Sequence, residues 1–397
     1  MINKLKNNFL KTNNPQFYLI CFFVLTGIFL RFLWIEDMEW KWDEHLMYKA
    51  SVEIAETGKL PATGMKSGGG IENPGMSMWI FGIIAKITTN PVEMVIIVVI
   101  LNVLALIGFL FLAFKKFKGQ DREVWTWGLA LAAVSPMAIL FSRKLWAQDI
   151  LPVFTFLVIL GHQFRVRKTG AFIWGFIGAI IGQIHMSGFF FSLGLFLYTL
   201  WYDYKNKHNT KWLAWLIGSI IGAVSLIPWL IYLTENVSDS KLSILHIFQF
   251  NFFIYWFIDP LGLNLTYSLR NSIFDFLTFP WIKGYNTYLV ALIHTGLIIV
   301  AIFVLYEIIK LLKNIFIKIK DRTIINEIKS DDCNHNFYLI SVLIGLGIIM
   351  TLSCIWIHPH YLIVAFPLPY IFIVKMLYPN LKKIKFVIIL QLLLSIS

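Results

Sequence analysis

Charge is what this sequence has least of: 14% of its 397 residues are Asp, Glu, Lys or Arg, against about 25% in an ordinary soluble domain. With 58% of residues hydrophobic, that shortage excludes a soluble globular chain and leaves an integral membrane protein. Cysteine is scarce as well. Cys21, Cys333 and Cys354 stand far apart with no CxxC, so neither a disulfide framework nor a zinc site is encoded. Internal repeats and low-complexity tails are missing. The N-terminal apolar run lacks a small-residue cleavage site and is about as long as a span, so it reads as a retained first helix. The net charge of +12 would point to nucleic acid in a soluble chain. Here Lys and Arg come in short clusters between apolar runs, where they set topology, and no nucleic-acid partner is expected.

The apolar runs predict an all-α polytopic bundle forming one membrane-embedded domain over 1–397. Candidate spans cover 17–35, 92–114, 124–141, 150–164, 170–184, 187–202, 212–233, 287–309, 337–357, 361–378 and 386–397, about eleven in all. The stretch NPGMSMWIFGIIAKI, Asn73 to Ile87, reads either as a short span or as a helix in the interface. Charge decides between them. Taken as interfacial, it puts Lys4, Lys6 and Lys11, the clusters KKFKGQDR, RVRK and YKNKHNTK, the basic residues of 310–329, and Lys375, Lys382, Lys383 and Lys385 in the cytoplasm. The outer turns are then nearly free of Lys and Arg, as the positive-inside rule expects.

Two long outer segments follow from that threading. The first, 36–91, predicts two amphipathic surface helices. DEHLMYKASVEIAETG carries Leu46, Ala50 and Ile54 on one stripe with Gly58 as a stop, and KSGGG makes a flexible hinge. The second, 234–286, contains the apolar-aromatic HIFQFNFFIYWF, another candidate for the interface.

Ionisable groups are costly near a membrane, so their gathering is informative. Four sets fall on the outer face: Asp43-Glu44, SRKLWAQD (142–149), QIHMS (183–187) and HPHY (358–361). Together they predict a polar cavity opening to that side. An acidic pair at a helix start ordinarily caps the helix. Flanked by Trp40, Trp42 and Tyr48, Asp43 or Glu44 can instead serve as a general base in a water-poor site. Arg143 and Lys144 read either as snorkelling side chains or as phosphate ligands, and Asp149 as a partner for Arg143 or for a sugar hydroxyl. His185 alone is more often a packed core residue than a catalyst. HPHY, with the helix restarting at Tyr361 and with Pro367 and Pro369 beyond, predicts a rigid turn that aims ring N–H groups at the cavity. An i, i+2 histidine pair is weak as a metal site. No cofactor is fixed by the sequence; Asp43 and Asp149 could share a divalent ion if they approach closely. The aromatic share of 16% is membrane-facing bulk, not a cofactor box.

In this order, Arg31 ending the first span, DEHLMYKA, Gly58, NPGMSMW, SPMAILFSRKLWAQD, QIHMSG and HPHYLIVAFPLPY resemble the GT-C superfamily of membrane glycosyltransferases, in the branch of protein O-mannosyltransferases and lipid A aminoarabinose transferases. The resemblance covers most of the chain and is strongest over 20–200. It implies sugar transfer from a polyprenyl-phosphate donor to a lipid, glycan or protein acceptor on the periplasmic-type face, within the bacterial or archaeal cell membrane. By the same match Asp43 acts in catalysis with Glu44 in support, and Asp149 lines the sugar or acceptor pocket. Donor phosphate and sugar contacts fall to Arg143, Lys144, Lys66, Tyr48, His185, His358, His360 and Tyr361. The sequence departs from the aminoarabinose transferases where ENPGMS replaces their Lys-Pro-Pro, which argues against the same phosphate contact and substrate. A transporter or flippase, or a polymerase or ligase, of lipid-linked saccharides is the rival reading.

Overall fold

The computed structural model describes residues 15–66, 70–236, 244–269, 272–321 and 334–397. Lys4, Lys6, Lys11, Cys333, part of the basic cluster in 310–329 and three residues of KSGGG lie outside them.

The chain is helical where long apolar runs predicted it. In order come α1 (Pro15–Phe32), α2 (Trp42–Thr57), α3 (Met76–Ala85), α4 (Pro91–Lys116), α5 (Gly119–Val134), a short turn of helix over Pro136–Leu140, α6 (Leu151–Gln163), α7 (Lys168–Ile184) and α8 (Ser187–Asn206). These are followed by α9 (Trp212–Glu235), α10 (Leu289–Lys320), α11 (His335–Leu352), α12 (Leu368–Leu377) and α13 (Leu381–Ile396). Among the described residues five of them, α1, α4, α9, α10 and α11, are long and apolar enough to cross a membrane. A sixth is added if Pro359–Ala365 and α12, bent by 84°, make one span. The expected count of about eleven is therefore not reached by length and composition. Breaks divide two of the expected spans. Ser135 is extended ahead of Pro136 and cuts the 124–141 segment, and Pro367 and Pro369 push the last restart from Tyr361 to Leu368.

The bundle is organised around α5, in which every residue from Val124 to Val134 is buried, as a stretch that is apolar on all sides except for Thr126 must be when neighbours surround it. It packs against α1, α4, α12 and α13. Arg31 ties two of these together: its guanidinium, buried at the end of α1, donates to the Gly27 carbonyl (2.8 Å) and to that of Ala133 at the end of α5. Elsewhere α8 meets α11 by backbone contact. A Cβ built at Gly194 would lie 2.3 Å from the Ser341 carbonyl oxygen and 2.6 Å from the nitrogen of Gly345, within a π-helical stretch, Leu343–Ile349. Gly194→Val should therefore separate the two helices and cost at least about 1–3 kcal/mol, read as a lower melting temperature and yield in detergent. Unchanged melting would mean this contact is looser than described.

The segment after α1 holds two helices, α2 and α3, packed on each other through Ile54 and Gly82, and α2 ends at Gly58 in the left-handed conformation. Two features differ from expectation. The buried stripe of α2 is Glu44, Met47, Ser51 and Ile54, so the helix is turned from the predicted Leu46–Ala50–Ile54 face and directs Glu44 inward. And the predicted hinge is flanked by a hairpin, β1 (Thr63–Lys66) against antiparallel β2 (Glu72–Pro74).

Within the second long segment, Ile244–Phe248 and Asn251–Ile258 are short helices. They brace the strand-like stretch before HPHY. Gln249 donates to the Ile355 carbonyl (2.6 Å) and accepts from the Ile357 N–H (3.0 Å), while His246 bonds the Cys354 carbonyl (3.0 Å). A small hairpin, β3 (Trp281–Ile282) with β4 (Tyr285–Asn286), precedes α10.

Candidate active site

At one end of the bundle, segments far apart in sequence enclose a cavity of about 390 Å³. Asp43, Glu44, Lys66, Lys144, His185, His358, His360 and Tyr361 line it, together with Glu39, Lys41, Trp42, Asn73, Trp146, Gln148, Tyr267 and Ser268 among others. The basic clusters at 115–122, 165–168, 205–211 and 375–385 stand at the other ends of the helices that frame it.

Asp43 and Glu44 open α2. Asp43 is half-buried, whereas Glu44 is 4% exposed and accepts the Lys41 backbone N–H (3.0 Å), the reciprocal half of a capping arrangement. Burial raises the Glu44 carboxyl above its ordinary range, against the lowering effect of that hydrogen bond. Lys144, 4% exposed, is ion-paired with Glu39, which also pairs with Lys41. The Lys144 ammonium lies over the rings of Phe141 (5.0 Å) and Trp146 (5.6 Å), so its charge is held by an anion on one side and aromatic faces on the other.

Aromatic rings form the facing wall. The His358 and His360 rings stack at 5.4 Å, His360 lies 4.7 Å from Trp146, and Tyr361 lies 4.8 Å from His360 and 4.9 Å from His185. His185 follows the last residue of α7. Its Nδ1 faces the Ser187 hydroxyl (2.8 Å) and accepts the Ser187 backbone N–H (3.3 Å), which leaves the ring proton on Nε2. Burial lowers its pKa to about 4, so near neutral pH it is an uncharged donor. Burial lowers His358 as well.

Three residues expected in this site lie elsewhere. Arg143 turns away, donates to the Trp34 carbonyl and lines a separate recess with Asp37. Tyr48 packs on Trp40 and donates to the Thr89 carbonyl (3.0 Å) outside the cavity. Asp149 is 0% exposed, enclosed behind Gln148, with both carboxylate oxygens lacking a hydrogen-bond partner, while its backbone carbonyl accepts from Asn102 (2.7 Å). It does not line the space that Asp43 faces. A shared divalent ion therefore has no common cavity between the two, and among the described residues no group of three His, Cys, Asp or Glu side chains is placed to hold a metal ion.

Enclosure raises the Asp149 carboxyl well above its ordinary range, with Glu44 adding to the rise and Lys144 opposing it. A raised folded-state pKa gives stability that is complete below the unfolded carboxylate value and is lost as pH climbs toward the folded one. Asp149→Asn should thus melt close to the parent at pH 4 and above it at pH 8, the parent losing up to about 1.4 kcal/mol per pH unit in that window. Parallel melting curves at both pH values would contradict this.

Sequence reasoning missed Glu39, Lys41, Asn73 and Tyr267. Asn73 lies in the ENPGMS stretch ahead of α3. It donates to the Met65 carbonyl (2.8 Å) across the hairpin and accepts from the Met186 N–H (3.4 Å), joining that hairpin to the His185 turn. A second, more open groove of about 410 Å³ runs along α2, lined by Leu46, Lys49, Ala50, Glu53, Gly64 and Met78 with Trp42, Asp43, Met65 and Lys66. The last four belong to both spaces, so Asp43 stands where cavity and groove meet.

No protein-family model matches the chain, and no curated protein sequence matches it. Its fold is similar to that in the crystal structure of ArnT from Cupriavidus metallidurans in the apo state, with a TM-score of 0.54 and 12% identity over 92% of this chain. The match spans 60% of the length of that protein.

Proposed function

We propose that this integral membrane protein is an inverting glycosyltransferase that moves a sugar from a polyprenyl-phosphate carrier to an acceptor on the non-cytoplasmic face. The observation that carries the reading is the position of Asp43 between two differently built spaces. One is a cavity with buried ammonium and imidazole donors, suited to a phosphate. The other is an open groove edged by the exposed indole of Trp42 (72%) and by Lys49 and Glu53 one turn apart, suited to a hydroxyl-rich acceptor. The fold adds support, since ArnT is a lipid A aminoarabinose transferase of the GT-C class. Sidedness is supported by the basic clusters at the far ends of the helices.

In this mechanism Asp43 takes the proton from an acceptor hydroxyl, whose oxygen attacks the anomeric carbon from the face opposite the phosphate. The carbon–oxygen bond to phosphate breaks with inversion, and the polyprenyl phosphate leaves with an added negative charge. The Lys144 ammonium and the Nε2–H of His185 stabilise that charge as it develops. Glu44 holds the Lys41 N–H and so fixes the first turn of α2 on which Asp43 rides. Burial of the prenyl chain contributes about 0.8 kcal/mol per CH₂, which favours a donor that stays in the lipid and presents only its head to the cavity.

The test is a proteoliposome assay that offers polyprenyl-monophosphate and polyprenyl-diphosphate sugars side by side to purified protein. Sugar loss from the monophosphate carrier, with an inverted anomeric bond in the product, is expected. Movement of either lipid across the bilayer without sugar transfer would favour a flippase, and use of the diphosphate carrier alone would favour a polymerase or ligase.

A further inference from the structure

We infer that Glu39 occupies the anion subsite of the cavity in the ligand-free fold, and that a phosphate group binds by displacing its carboxylate from Lys41 and Lys144. The inference rests on the donor proposed above only for which phosphate is taken. Its basis is local. Glu39 pairs with both ammonium groups, and all three residues line the same cavity. Lys144 is almost wholly buried against Phe141 and Trp146, so its charge cannot be satisfied by bulk water and needs an anion supplied within the cavity. Among the other acidic groups, Glu44 accepts the Lys41 backbone N–H and Asp149, fully buried, does not line the cavity, so Glu39 is the cavity carboxylate that pairs with Lys144. Glu39 divides one carboxylate between two ammonium groups, and a phosphate, with more oxygens and up to two charges, can bridge both. Glu39 belongs to an irregular stretch, 38–41, between the short helical turn Ile35–Asp37 and α2, so its side chain can swing aside without breaking a helix.

The same arrangement gives Glu39 a part in turnover. The leaving polyprenyl phosphate carries more charge than the donor and holds the two lysines more tightly. Return of the Glu39 carboxylate competes with it and speeds its release. Glu39 is thus a positioning residue for Lys41 and Lys144, and its effect divides between binding and release.

The experiment measures binding of farnesyl phosphate and, separately, of inorganic phosphate to the full chain in detergent, for the parent, Glu39→Gln, Glu39→Asp and the double variant Glu39→Gln/Lys144→Met. Glu39→Gln should bind farnesyl phosphate about tenfold more tightly than the parent at low salt, in keeping with the coupling of close charge pairs. Glu39→Asp should stay near the parent, and the double variant should lose the gain. In transfer assays Glu39→Gln should lower KM for the donor and lower kcat with it. Equal or weaker phosphate binding by Glu39→Gln would overturn the inference, leaving Glu39 as a plain counter-ion that holds Lys144 in place. Should Glu39→Gln fold poorly, Glu39→Ala gives the same comparison. An equal gain for inorganic and farnesyl phosphate, with no preference for the lipid in any variant, upholds the displaced carboxylate and counts against the lipid-linked donor.

Discussion

Asp43→Asn is expected to lower sugar transfer by about 10²–10⁴-fold or to below detection, the range for loss of a positioned general base. Binding of the donor and the melting temperature should stay near those of the parent. The separation follows from geometry. Asp43 lines both spaces but makes no ion pair with Lys41 or Lys144, whose partner is Glu39, so an isosteric amide removes the proton acceptor and leaves the ammonium groups in place. Glu44 makes the useful contrast. Its carboxyl accepts the Lys41 N–H, a bond that a Gln can also accept, so Glu44→Gln should keep most activity. Activity that survives in Asp43→Asn and vanishes in Glu44→Gln would exchange their roles.

The second large effect belongs to Lys144. Lys144→Met keeps the length of the side chain and its contact with Phe141 and Trp146 while removing the charge. The kcat/KM for a polyprenyl-phosphate donor should fall by about 10²–10³-fold, the usual scale for a group that meets charge developing in the transition state. Both kcat and KM should suffer, because the same ammonium meets the phosphate before and after the bond breaks. Folding is a separate question, since the change leaves Glu39 with one partner and Asp149 without the nearby positive charge that opposes its rise. Melting at pH 6 and pH 8 separates the two: a loss of rate at unchanged melting assigns the effect to the site. Arg143, expected from the sequence to be the phosphate carrier, is the control. Its guanidinium is engaged with the Trp34 carbonyl away from the cavity, and Arg143→Gln should leave donor affinity nearly unchanged.

The contrast between Arg143 and Lys144 marks how far the sequence alone could be read. Apolar runs and the distribution of Lys and Arg were enough to bring residues 43–44, 144, 185 and 358–361 to one end of the bundle, because sidedness depends only on counting helices and charges. Direction within an irregular turn is another matter. Between the helical turn ending at Leu140 and the short 3-10 turn starting at Ala147 no helical or strand period applies, so nothing in SRKLWAQD says that Lys144 faces the cavity while Arg143 and Asp149 do not. Helix α2 shows the same limit in milder form. Leu46, Ala50 and Ile54 make the more apolar stripe, yet the fold buries Glu44, Met47, Ser51 and Ile54, since the cavity rewards an inward carboxylate that hydropathy counts as a surface residue. Glu39 and Lys41 gave no signal at all. They precede the helix in an irregular stretch and pair with each other, and Glu39's second partner, Lys144, lies about a hundred residues away. The pairing of β1 with β2 was hidden by GGG, a sequence that equally well describes a hinge. The span windows run through the breaks at Pro136 and Pro367, which divide two of the expected spans into shorter helices.

The most direct measurement is a structure of the full chain in lipid with a polyprenyl phosphate bound. The phosphate should lie between the Lys41 and Lys144 ammonium groups, within reach of the His185 Nε2–H, with the Glu39 carboxylate moved out and the prenyl chain leading away into the bilayer. A phosphate held among the basic residues at the opposite end of the helices, near Arg122 or Lys375, would contradict the assignment of this cavity as the site of chemistry.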